Sequence, residues 1–242
     1  MPRGHKDYGD GGQTYIIHSV TDMGELASRL GSPDVFQRSG NVVFITSFES
    51  GIDEMVQDPQ GTGSAINLMG DRCYSGGLSV RLIAGSDGGR RSRLTKRFHT
   101  VETNKMGVEA TFSLNDECTY FSLFVAVRDG TTKWSYGIYA SIADGEFQYY
   151  DNTGNRVKMV DFDWGGDDLD HWHTFKLVFD LALCEYVRAF YNEVEYDLTG
   201  ISVYQDASAD DPRLDFTCWN LSEEGENGIA YVDNVIVTIN EP

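Results

Sequence analysis

From residue 41 onward the chain alternates apolar and polar positions in short runs broken by glycine- and aspartate-rich turns. In Thr119 to Val127, Phe121, Leu123, Val125 and Val127 share one side. In His173 to Asp180, Phe175, Leu177 and Phe179 fall on one face and Thr174, Lys176 and Val178 on the other. A period of two marks a strand with one buried face. The same pattern predicts strands over 42–48, 76–84, 93–100, 105–114, 134–142, 146–150, 186–191, 194–198, 214–219 and 229–239. Asp129-Gly130 and Asp144-Gly145 lie between such runs and read as hairpin turns. The runs between 173 and 198 form a meander, taken as the organising unit, and the polar stretch 51–76 reads as a loop. About a dozen strands with regular turns and no internal repeat predict an all-β, two-sheet antiparallel sandwich.

Residues 1–40 break this pattern. They read as a polar, glycine-rich arm followed by a short helix over 21–31, capped by Thr21 or Asp22 and stopped at Gly31. The division is an arm and helix over 1–40 and a sandwich over 41–242. The arm offers a route to homo-oligomers by docking on a neighbouring subunit.

Composition narrows the partners. A formal net charge of −19 repels phosphate backbones, which argues against nucleic acid and anionic membranes and leaves room for a cation or a neutral partner. No 18-residue apolar run exists to form a membrane-spanning helix. The first residues lack the apolar core of a signal peptide, so a cytoplasmic location is expected, or an extracellular one if a precursor segment has been removed. Four cysteines, Cys73, Cys118, Cys184 and Cys218, stand far apart without metal-ligand spacing and are expected as reduced thiols.

Candidate chemistry is sparse. Arg90, Arg91, Arg93, Lys96 and Arg97 crowd into eight residues. They either receive uronic acids, phosphate or an acidic protein face, or protect an exposed edge strand by charge. Trp134, Tyr136, Tyr139, Tyr149 and Tyr150 offer rings that stack on sugars, but alternation commits Trp134 and Tyr136 to one face and Tyr139 to the other. Tyr139 with Arg128, Lys176 and Arg188, all on polar sides of their strands, forms the candidate carbohydrate patch. His171 and His173 beside Asp170, and the acidic run 161–170, fail as zinc and EF-hand sites respectively. There is no Gly-x-Ser-x-Gly elbow, Walker loop or dinucleotide fingerprint. Asn220-Leu221-Ser222 fits a glycosylation sequon.

Phe48-Glu49-Ser50-Gly51, Gly77-Leu78-Ser79-Val80-Arg81-Leu82, Trp172 to Asp180 and Tyr231-Val232-Asp233-Asn234-Val235 follow one another in an order that resembles the concanavalin A-like lectin/glucanase group, with its laminin G-like domains and jelly-roll carbohydrate-binding modules. The resemblance spans about residues 41–240. It implies that the first and last strands are neighbours and that Glu49 and Asp233 hold a structural calcium. The plainer alternative is that Glu49 caps a turn and Asp233 binds backbone amides. It further implies a non-catalytic carbohydrate-binding module. The alternatives are a glycoside hydrolase or polysaccharide lyase with an unrecognised carboxylate pair, and an assembly protein using the arm. The Glu-x-Asp-x-Glu strand of laminarinase-like hydrolases and the alginate-lyase signature are both missing.

Overall fold

Alternation in the sequence becomes sixteen strands in a computed structural model that describes residues 40–98, 104–162, 169 and 171–242. In chain order they are β1 (Asn41–Thr46), β2 (Val56–Thr62), β3 (Ala65–Met69), β4 (Ser79–Ile83), β5 (Asp87–Phe98), β6 (Lys105–Leu114), β7 (Cys118–Arg128) and β8 (Thr132–Ser141). There follow β9 (Glu146–Tyr150), β10 (Arg156–Asp161), β11 (His173–Asp180), β12 (Glu185–Tyr191), β13 (Val194–Asp197), β14 (Tyr204–Ala207), β15 (Arg213–Ser222) and β16 (Ile229–Ile239). One sheet runs β13-β12-β11-β6-β16-β4-β3, with β1 also on β16; the other runs β10-β9-β8-β7-β15-β5-β2, with β14 also on β8. All pairings between strands are antiparallel. The protein is an all-β, two-sheet jelly roll. The arm and the helix over 21–31 lie outside the described residues.

Rings from the two inner faces meet in the core. Phe112 of the first sheet stacks on Phe121 of the second at 4.2 Å, and Phe175 packs on Phe147 at 4.4 Å and Phe179 on Tyr136 at 4.5 Å. Each such ring contributes roughly 1.5–3 kcal/mol through burial.

The 173–198 meander forms one end of the first sheet rather than its middle. The pivotal strand is β16. It pairs with β6 along one side, and on the other with β4 up to Val232 and with β1 from Val235. At the change of partner Asn234 adopts a left-handed φ of 50° and the ladder to β6 is bulged. First and last strands are therefore neighbours, Thr46 lying opposite Val235.

Four strands were not read from the sequence. β2 and β3 lie in the supposed 51–76 loop, and β10 and β14 are short. β2 contains Pro59, which an edge strand tolerates. Because β2 covers β5, the arginine-rich run is not an edge strand, which corrects that alternative. Asn220 also departs from expectation. Its side chain is fully buried and donates to the Leu82 and Gly228 carbonyls at 2.8 and 2.9 Å, so the folded chain closes the sequon. None of the four cysteines is in a disulfide, and burial drives the Cys118 and Cys218 thiols far above their ordinary range.

Candidate functional site

The outer face of the second sheet collects the rings and guanidiniums. Antiparallel register sets Arg93, Trp219, Ser122, Tyr139, Gln148 and Lys158 in one row across six strands. The adjoining row holds Thr95, Thr217, Phe124 and Gly137, and Tyr150 pairs with Arg156 at its far end. One step along each strand the side chains turn into the core, as Leu94, Cys218, Leu123 and Ile138 do.

This face is a trough. β10 and β7 are three strand spacings apart, about 14 Å in a flat sheet. Yet the Arg156 guanidinium lies 3.7 Å from the Tyr120 ring centre and 5.1 Å from that of Tyr139. Phe124 likewise meets Tyr150 at 6.3 Å across two spacings. Small residues form the floor, Ser122, Ser135 and Thr217 among them, and they are buried although they point away from the core. Gly137 is required here, since a Cβ would stand 2.9 Å from the Tyr139 ring and 3.1 Å from Phe124. Tyr139 lies down over that glycine and is itself buried, which pushes its phenol well above the ordinary range. The half-exposed rings are Tyr120, Phe124, Tyr150, Tyr204 and Trp219.

Beneath the floor, Tyr186 of β12 crosses from the opposite sheet. Its hydroxyl accepts the Gly137 N–H at 2.9 Å and donates to the Tyr150 carbonyl at 2.7 Å. The β8–β9 ladder ends one rung earlier, at Ile138 and Tyr149, so the hydroxyl fills the place where those strands part and β14 takes over beside β8.

Charge is organised on the same face. Arg91, Arg93, Arg97, Arg128, Arg156 and Arg213 belong to it, with Lys133 and Lys158. Asp215 meets Arg128 at 2.7 Å, Arg213 at 3.0 Å and Arg97 at 3.3 Å. Arg93 pairs with Asp58, and Lys158 bridges Asp161 at 2.7 Å and Glu146 at 3.3 Å. A hydrogen bond from Gln60, and then Arg93, hold the Asp58 carboxyl below the usual carboxylate range. The strand-borne carboxylates of this face are thus held by cations. Two polar atoms in the floor row, Trp219 Nε1 and Gln148 Oε1, are shielded from solvent and have no hydrogen-bond partner among the described residues. Such atoms cost about 1–3 kcal/mol until a partner reaches them.

The four residues of the expected carbohydrate patch are divided between the sheets. Arg128 and Tyr139 lie on this trough, Tyr139 on its floor and Arg128 tied to Asp215 and Asp210. Lys176 and Arg188 sit on the outer face of the other sheet, where Glu241 takes both, Lys176 Nζ at 2.8 Å and Arg188 Nη2 at 3.3 Å. They form no patch with the first two. Alternation separates inside from outside but does not assign a strand to a sheet. His173 is core, packed on Phe112 and 3.2 Å from the Tyr191 hydroxyl. Most of the acidic run 161–170 lies outside the described residues.

Glu49 and Asp233 meet near the gap between β4 and β1. Phe48, left-handed at φ 62° and buried in the core, turns Glu49 outward. The 74–78 loop then wraps both carboxylates with main-chain donors. Tyr74 and Ser75 N–H reach Asp233 Oδ2 at 3.0 Å each, and Gly77 and Leu78 N–H reach Glu49 Oε1 at 2.7 and 2.9 Å. A Cβ at Gly76, whose φ is +67°, would lie 2.4 Å from Glu49 Oε1. Burial, opposed by these hydrogen bonds and reinforced by the Glu49 charge, pushes Asp233 up to about 6. The donor set suits a hard cation. Among the described residues Glu49 Oε2 accepts no hydrogen bond and Asp233 Oδ1 accepts one, from Asn234 N–H at 2.7 Å. Lone pairs therefore remain beside two coupled negative charges. Among the described residues no third acid, histidine or cysteine joins them.

No protein-family model matches the chain, and no curated protein sequence does. Solved structures do share its fold, the concanavalin A-like jelly roll. An endo-β-1,4-glucuronan lyase from the fungus Trichoderma reesei superposes with a TM-score of 0.55 at 11% identity, over 83% of this chain and 96% of that one. A carbohydrate esterase from the Shiga toxin-encoding bacteriophage phi24B gives 0.52 at 14%, over 84% and 100%. The β-glucanase of Bacillus licheniformis gives 0.50 at 17%, over 83% and 99%. The likeness is one of fold.

Proposed function

We propose that this chain is a non-catalytic carbohydrate-binding module, and that the trough on the second sheet is its glycan site. The observation that carries this is the group of half-exposed rings spread over neighbouring strands above small floor residues, with guanidiniums between them. Rings stack on the C–H faces of sugars, and arginine N–H groups reach their oxygens. The fold neighbours named above, a lyase, an esterase and a glucanase, act on carbohydrate, which supports the reading. Binding is favoured over hydrolysis because a glycosidase needs one carboxyl protonated at working pH. The carboxylates on these strands are engaged in ion pairs instead. Affinity electrophoresis against a polysaccharide panel tests this. Trp219→Ala is expected to weaken retention about tenfold or more through the lost stacking, with no reducing ends released by the unaltered protein. Retention unchanged in the variant, or sugar release, contradicts the reading.

Glu49 and Asp233 are proposed to hold a structural calcium that ties β1 to β16. At a calcium concentration a hundred times the dissociation constant, stability is expected to rise by about 2.7 kcal/mol. That is about 5–10 °C in melting temperature for a chain of this size. Glu49→Ala and Asp233→Asn are expected to lose the gain. A wild-type melting curve indifferent to chelator retires the proposal.

A further inference from the structure

We infer that the trough takes acidic sugars and that Arg156 is the residue that selects them; this rests on reading the trough as a glycan site. The charge balance of the face is inverted relative to the chain. The protein carries 19 Lys and Arg against 38 Asp and Glu. Eight of those cations stand on this one face, against Asp58, Glu146, Asp161, Asp206 and Asp215 on its strands, with Asp151 and Asp210 beside them.

Within that set Arg156 is distinct. Arg93, Arg97, Arg128 and Arg213 each hold a carboxylate. Arg156 holds none among the described residues. It is exposed, and its guanidinium carbon lies 3.7 Å over the Tyr120 ring centre and 5.1 Å from that of Tyr139. A guanidinium packed over rings keeps N–H groups at its rim available for a planar or tetrahedral anion. Arg91, the other guanidinium of this face without an ion pair among the described residues, is bound to the neutral Gln60 in the row that contains Tyr120. A sugar stacked on the half-exposed rings would thus present a carboxylate or sulfate ester to a preset cation. A neutral sugar would offer that cation only hydroxyl oxygens.

Calorimetric titration separates this from the broader reading. The ligands are a polyuronate, the same polymer with its carboxyls reduced to alcohols, and a sulfated polysaccharide, each at low and high salt. The unaltered protein is expected to bind the acidic polymers about tenfold or more tighter than the reduced one, with the gap narrowing in salt. Arg156→Ala is expected to remove most of that gap, the acidic polymers losing far more affinity than the reduced one, and Arg156→Lys to restore part of it. Equal affinity for acidic and reduced polymers, or an unchanged gap in Arg156→Ala, overturns the assignment and leaves the glycan site standing. No binding of any polymer overturns both. Should Arg156→Ala fail to fold by circular dichroism, the gap measured for Arg156→Lys decides.

Discussion

Replacing Glu241 by alanine is expected to destabilise the fold by about 3 kcal/mol, the lower end for removing one partner of a buried ion pair. Its carboxylate is fully buried and holds Lys176 and Arg188 while accepting the Thr238 hydroxyl at 2.6 Å. Gly107 leaves space for it, since a Cβ there would stand 2.7 Å from Glu241 Oε1. Without Glu241, two cations remain on a covered face. Glu109, buried opposite Lys176 across the β6–β11 ladder, limits the loss. For a chain of this size about 3 kcal/mol lowers the melting temperature by about 6–12 °C. Glu241→Gln is expected to fall between, keeping the shape and the Thr238 contact but not the charge. A thermal melt within 2 °C or so of wild type for the alanine variant would show that the pair contributes no net stability.

The second large effect concerns the trough floor. Tyr186→Phe removes one oxygen and leaves two buried main-chain groups, the Gly137 N–H and the Tyr150 carbonyl, without the partner that closes the end of the β8–β9 ladder. Unpaired buried groups cost about 1–3 kcal/mol each, so a loss of about 2–4 kcal/mol is expected. The loss should be local as well as global. Gly137 amide exchange is expected to quicken in the variant more than exchange of Leu123 or Cys218 in the neighbouring strands. Uniform protection, with a stability change under about 1 kcal/mol, would mean that water or a small strand shift replaces the hydroxyl.

The strands that were legible in the sequence are those with a clean period of two. β6, β9, β11 and β16 run over the very residues the alternation marked. The unread ones are short or peripheral. β2 reads Val-Gln-Asp-Pro-Gln-Gly-Thr, with no buried position to set a period. That gap had a consequence, because without β2 the arginines of β5 read as edge protection rather than as one wall of a trough. The face of each candidate residue was legible, since Tyr139 does oppose Trp134 and Tyr136. The grouping was not. Lys176 and Arg188 look solvent-facing by alternation, and their partner is Glu241, beyond the last strand. Arg156 and Trp219 escaped notice because their contacts depend on how the sheet curls, which spacing along the chain does not encode. Glu49 and Asp233 were found through the order of motifs shared with a known fold, not through spacing.

One surface, the outer face of the second sheet, is the proposed place where sugar binds. Amide chemical-shift mapping during titration with an acidic oligosaccharide examines it directly. Shifts are predicted at Ser122, Phe124, Gly137 and Gln148 and at the Trp219 indole N–H, with the 229–239 strand quiet. Shifts confined to the opposite sheet, or none at saturating sugar, would contradict it.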